Sequence, residues 1–177
     1  MRNPSHTALA CRRFSLIEMT AVLIIVGLLM GAVLGSFNGI AKGGNVDAGA
    51  RMVSSQLFLA RSYAISQRTY VAVLTNSDNT AVSTWLCDSS KVCSEPVPNT
   101  EWRYLAAGAK VNFSSSGMTV TGTFSPVGAD ATNAIIFKPN GSLMDPSNPT
   151  IVVKDETQAK NKETLEVNWL TGKVTFQ

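Results

Sequence analysis

The residue types that could do chemistry are few in this chain, and their spacing excludes most kinds. The single histidine, His6, stands near the N-terminus. Beyond it neither a Ser-His-Asp nor a Cys-His arrangement can form, and there is no histidine metal site. Cys87 and Cys93 bracket "CDSSKVC" but are two ligands where a zinc site needs four. "KPNGS" (138–142) lacks the GK[ST] ending of a phosphate loop, and no GxGxxG follows a predicted strand. "MDPSNP" (144–149) offers one carboxylate and reads as a proline-rich surface turn rather than a calcium site. Asp155, Glu156, Glu163 and Glu166, with Lys154, Lys160 and Lys162, read as a solvated loop and strand edge. No catalytic residue, metal ligand or cofactor is expected, so the chain is not expected to be an enzyme.

One acid stands out. Glu18 is the only charged residue between Phe14 and Phe37, in "FSLIEMTAVLIIVGLLMGAVLGSF". Twenty-four helical residues span roughly 36 Å, enough to cross a hydrocarbon core of about 30 Å. The run is too long for the apolar part of an ordinary secretory signal, and no small-x-small cleavage pattern closes it. Arg2, Arg12 and Arg13 precede it, which places the N-terminus in the cytoplasm and sends residues 38–177 outward. An ionised carboxylate in such a span costs about 2.5–3.5 kcal/mol, so Glu18 either snorkels to the head groups or has a cationic partner at matching depth. A cut between Arg13 and Phe14 would create that cation, an α-amino group four residues away. Pairing between chains would then set an axial offset of one subunit in an assembly.

The rest of the chain is electrically plain. The formal net charge is +3, from 15 Lys plus Arg against 12 Asp plus Glu. Setting Arg2, Arg12 and Arg13 aside leaves 12 against 12, so the outward portion has no field to attract a nucleic acid, which is not expected as a partner. Cys11 lies on the reducing side of the span. Cys87 and Cys93 lie on the other, where a local disulfide can persist; the alternative is a pair of free thiols. Gly27, Gly31 and Gly35 form a small-xxx-small ladder inside the span, suited to close helix packing, although glycine is also common in membrane helices.

These residues must be carried by a helix and a sheet. Gly39, Gly43, Gly44 and Gly49 mark where a long helix would bend or loosen. After them Val46, Ala50, Val53, Leu57, Ala60 and Ala64 make an amphipathic stripe that predicts an exported helix over 38–67. From Thr69 the pattern turns to strands. A hairpin is expected at 70–74 and 81–86, with further strands at 102–105, 110–113, 118–123, 134–137, 151–154, 164–169 and 173–176. The cleanest hairpin signal is "LEVNWLTGKVTFQ", with the turn at Thr171-Gly172.

The segment "RFSLIEMTAVLIIVGLLMGAV" resembles the N-terminal signature of type IV pilins and type II secretion pseudopilins. Phe14 matches the first mature residue of that family, which becomes N-methylated, and Glu18 matches its assembly glutamate. Arg13 stands where the family has glycine. "MVSSQLFLARSYAISQRTYVAVL" (52–74) resembles the FimT/protein H branch, through Ala60, Arg61, Ala64, Ile65, Arg68 and Val71. "IIFKPNGS" and "LTGKVTF" resemble that branch's later F-x-P-x-G and G-[RK]-V runs, at Phe137, Pro139, Gly141, Gly172, Lys173 and Val174.

The resemblance implies an α+β, type IV pilin-like fold, with a long N-terminal helix packed on a C-terminal antiparallel sheet. It implies a basic leader (1–13) removed by a prepilin peptidase, a transmembrane helix (14–37), an exported helix (38–67) and a periplasmic domain (68–177). The function it implies is a minor pseudopilin anchored in the bacterial inner membrane, assembling with other pseudopilins into the pseudopilus of a type II secretion system. The alternative is a FimT-like minor pilin that binds DNA during uptake. The tail of this chain has only Lys173 where such proteins carry GRxR.

Overall fold

The computed structural model describes residues 15–114, 118–124, 129–157 and 160–177, and the backbone alone over 32–43, 114 and 129–132. The chain forms two compact units, the first ending at Gly39 and the second spanning Ile40–Gln177. Helix α1 (Leu16–Gln67) contributes to both. Its backbone stays helical through Gly39, Gly43, Gly44 and Gly49, where loosening was expected.

In the first unit the described side chains, 15–31, are all exposed. Among the described residues, no helix is long and apolar enough to cross a membrane. The expected span of 14–37 extends beyond those side chains at both ends.

The second unit is built on the predicted stripe. Val46, Ala50, Val53, Leu57, Ala60 and Ala64 are all buried. Gly49 serves the packing: a Cβ there would lie 3.1 Å from Leu105 Cδ2 and 3.3 Å from Val153 Cγ1. The helix ends in a left-handed Arg68 (φ 53°), and Thr69 N–H closes back on the Ala64 carbonyl at 3.2 Å. That is the bond by which a Schellman motif stops a helix, here with arginine in place of glycine.

Among the described residues ten strands follow: β1 (Tyr70–Asn76), β2 (Ala81–Cys87), β3 (Val92–Pro96), β4 (Arg103–Tyr104), β5 (Ala109–Ser114), β6 (Thr121–Gly122), β7 (Ala129–Phe137), β8 (Thr150–Asp155), β9 (Lys162–Val167) and β10 (Val174–Phe176). They form two sheets where one was expected. Sheet A has the order β6-β3-β2-β1-β7, with β4 also on β2; sheet B has the order β10-β9-β8-β5. All pairs are antiparallel except β3–β6, which is parallel. The expected strand at 118–123 shrinks to the two residues of β6, and β3 was not foreseen.

Alternation explains the layering. Val71, Val73, Ile135 and Phe137 of sheet A join the helix stripe in one core, together with Val111, Phe113, Ile151, Val153, Leu165 and Val167 of sheet B. Ala72, Leu74, Ala134 and Ile136 point to the opposite face and form a second cluster with Trp85, Cys87, Cys93 and Val120. Strands β1 and β2 are therefore buried on both faces, which is why Val71–Leu74 reads as a continuous apolar run, while β2 buries Ser83 and Thr84 among its apolar residues.

We expect Leu57→Ala to lower unfolding free energy by about 2–5 kcal/mol, because Leu57 is fully buried in the seam. Gly44→Ala should instead raise it by roughly 0.5–1 kcal/mol, because a Cβ there meets nothing within 4 Å. Denaturant midpoints of the two variants measure both effects.

Candidate functional site

Glu18 lies in the first turn of α1, on a segment that carries no other charge. The Ser15 carbonyl accepts from Glu18 N–H at 3.0 Å and from Met19 N–H at 3.2 Å, so Ser15 occupies the N-cap. Ser15-Leu16-Ile17-Glu18 has the S-x-x-E spacing of a capping box, a signal not drawn from the sequence above. An acid in the first turn also meets the positive end of the helix dipole. Around it eleven large apolar side chains from Leu16 to Met30 are exposed, Leu16 at 81% and Leu28 at 71%. A surface so apolar needs a non-aqueous or protein environment to cover it.

The glycine ladder lies on the same segment. A Cβ at Gly27 or Gly31 would meet nothing within 4 Å, so that surface is free for close approach by another helix. At Gly35 only the helical backbone is described. Arg13 and Phe14, the expected processing residues, lie outside the described residues.

Cys87 and Cys93 are joined by a disulfide. They stand opposite one another across β2 and β3, just past a register shift at Leu86, with Cys87 the last residue of β2. Asp88 shapes the intervening loop: its Oδ1 accepts from Ser90 N–H at 2.8 Å and from Val92 N–H at 2.9 Å. Lys91 takes the left-handed conformation there (φ 66°). Both cysteines are buried beside Trp85, whose ring meets Phe124 edge-on at 5.0 Å. The bridge thus fastens β3 to the central strand β2 within the second core.

The motif fragments at Arg61, Gly141 and Gly172, far apart in sequence, meet at one junction. Arg61 Nε donates to the Gly141 carbonyl at 3.4 Å. Gly141 (φ 81°) packs so close to the helix that a Cβ would lie 2.7 Å from Ile65 Cδ1. A Cβ on Gly172 (φ 64°) would collide with the Gly141 carbonyl and lie 2.9 Å from Arg61 Cδ. The Trp169 carbonyl accepts from Leu143 N–H at 2.7 Å, tying the two glycine loops together. Scattered sequence fragments give no hint of this contact; only the fold brings them together. Among the described residues no cluster of His, Cys, Asp or Glu could hold a metal ion.

A long helix whose second half packs on strands, as described for Ile40–Gln177, defines a pilin-like protein. Solved structures with this fold include the type IV minor pilin FimU of Pseudomonas aeruginosa PAO1, with a TM-score of 0.57 and 18% identity over 76% of this chain and 89% of that one. The minor pseudopilin EpsH from the Type 2 Secretion System of Vibrio cholerae gives a TM-score of 0.52 and 12% identity, over 75% of this chain and 96% of that one. No curated protein sequence matches the chain. Residues 49–171 match the model of the family described as "Type II transport protein GspH". The chain belongs to the GspH family, the FimT/protein H branch of pilin-like proteins.

We expect Gly172→Ala to cost about 3 kcal/mol, since it adds both a collision and a strained φ. Replacing Cys87 and Cys93 together by serine should cost about 2–3 kcal/mol, the cross-link entropy of so short a loop. Urea unfolding monitored by tryptophan fluorescence checks both values.

Proposed function

We propose that the chain is a minor pseudopilin, an inner-membrane-anchored subunit of the periplasmic pseudopilus in a type II secretion system. The observation that carries this reading is Glu18, a lone acid in the first turn of an exposed apolar helix. The GspH family match supports the secretion assignment. In this reading a prepilin peptidase removes residues 1–13 and the new terminus at Phe14 is N-methylated. The helix over 14–37 crosses the membrane, with the N-terminus cytoplasmic. Gly27, Gly31 and Gly35 let it pack against the helices of other pseudopilins.

Energetics assign the acid its role. A carboxylate at membrane depth costs about 2.5–3.5 kcal/mol while unpaired, whereas an amino-terminal cation of a neighbouring chain at the same depth offsets that cost. A subunit held out of register leaves its acid unpaired. The penalty thereby becomes a selector of axial position. The disulfide between Cys87 and Cys93 fits an oxidising compartment on the outer side of the membrane. Lys173 is the sole cation of the tail "GKVTFQ", which favours secretion over DNA uptake.

Glu18→Ala should abolish incorporation into filaments while leaving the protein in the membrane fraction; normal incorporation of that variant would sink the mechanism. The intact mass of membrane-extracted protein should correspond to a chain beginning at methylated Phe14. A mass beginning at Met1 would remove the processing step.

A further inference from the structure

The second unit leaves a strand edge open beside an apolar groove. Strand β10 ends sheet B. Asn168 N–H donates to the Lys173 carbonyl at 2.9 Å and Gln177 N–H to the Thr164 carbonyl at 2.9 Å, so the backbone groups of Lys173, Thr175 and Gln177 face β9. In an antiparallel ladder the intervening residues face the other way. The N–H and C=O of Val174 and Phe176 therefore point off the edge, where they meet no partner among the described residues. Val174 packs on the main core. Phe176, two residues on and on the same face, is 52% exposed and lines a groove with Asp47, Arg51, Ser54, Ser55 and Phe58.

Two features define what fits. Phe58 is 67% exposed on the outer face of the helix, so the groove offers two aromatic rings to an apolar group. Its only charges, Asp47 and Arg51, pair with each other at 3.0 Å, leaving the rim neutral. A docked helix satisfies its own backbone groups and would leave those of Val174 and Phe176 unpaired, whereas an added strand pairs them. Edge strands are ordinarily blunted by shortness, charge, proline or a bulge; β10 is short, at three residues, but the two positions whose backbone groups point off the edge are valine and phenylalanine.

We propose that β10 and this groove accept an extended, uncharged segment of a partner chain, which joins sheet B as a fifth strand and sets an apolar side chain between Phe58 and Phe176. The inference concerns the second unit alone and does not depend on membrane anchoring or processing.

The test uses the full chain in detergent micelles and a fluorescein-labelled heptapeptide of alternating valine and threonine, read by fluorescence anisotropy. Saturable binding is expected. N-methylation of every second peptide amide, on the side that would pair with β10, should weaken it roughly tenfold or more. Phe58→Asp, at an exposed position, should weaken it similarly while the circular dichroism spectrum stays unchanged. Three results would overturn the proposal. One is the absence of saturable binding up to about millimolar peptide. Another is equal affinity for the methylated and unmethylated peptides in both registers, which would leave only a sticky apolar patch. The third is self-association of the chain that Phe58→Asp abolishes, which would make a second copy the occupant.

Discussion

The second unit depends on the seam where the rear half of α1 meets both sheets. Its contact residues are small or branched: Val46, Gly49, Ala50, Val53, Leu57, Ala60 and Ala64. Small side chains allow close approach, and at Gly49 a Cβ would already press Leu105 and Val153. Sheets A and B each turn one face to this stripe, and so share one core. Removing the stripe would leave two sheet faces open to water, a larger loss of apolar burial than any one strand could offset. Polar matching occurs within the seam too, where buried Thr84 donates to Gln56 at 3.3 Å.

Two fasteners keep the ends of that arrangement in place. At the C-terminal end of the helix, Arg61 and Ile65 lie against the glycine loops at Gly141 and Gly172. On the far face of sheet A, the Cys87–Cys93 bridge holds β3 to β2 where β3 has only one buried side chain of its own. Packing alone gives β3 little hold, and a covalent link supplies what burial does not. The same logic applies to the loop after β9. There Asn168 Oδ1 accepts from Leu170 N–H at 3.1 Å and Thr171 N–H at 3.0 Å, drawing the chain out of the ladder.

That loop shows where sequence patterns mislead. Leu165, Val167 and Trp169 alternate, and Thr171-Gly172 resembles a two-residue turn, yet Val167 pairs with Val174 and six residues, 168–173, form the connection. Trp169 continues the alternation but lies outside the strand and is partly exposed. Strand β3 was invisible for the opposite reason: with the burial of Cys93 alone it has no alternation to detect. At Glu18 the anomaly of an acid in an apolar run is plain in the sequence, while the S-x-x-E spacing with Ser15 gains its meaning only where the Ser15 carbonyl starts the helix.

Local pattern by itself determined the helix stripe, the β1–β2 hairpin, most strand positions, the family signature and the isolation of Glu18. Each of these rests on periodicity, turn chemistry or charge, quantities that neighbouring residues settle among themselves. Tertiary structure alone decided that the strands divide into two sheets, that β3 and β6 run parallel, and that a second core lies beyond sheet A. It also decided that Arg61, Gly141 and Gly172 meet, and that Phe58 and Phe176 face one groove beside an open strand edge. Those outcomes depend on which surfaces, distant along the chain, can be buried together. No window of sequence contains that information, because the energy that selects them comes from contacts formed only after the chain has folded.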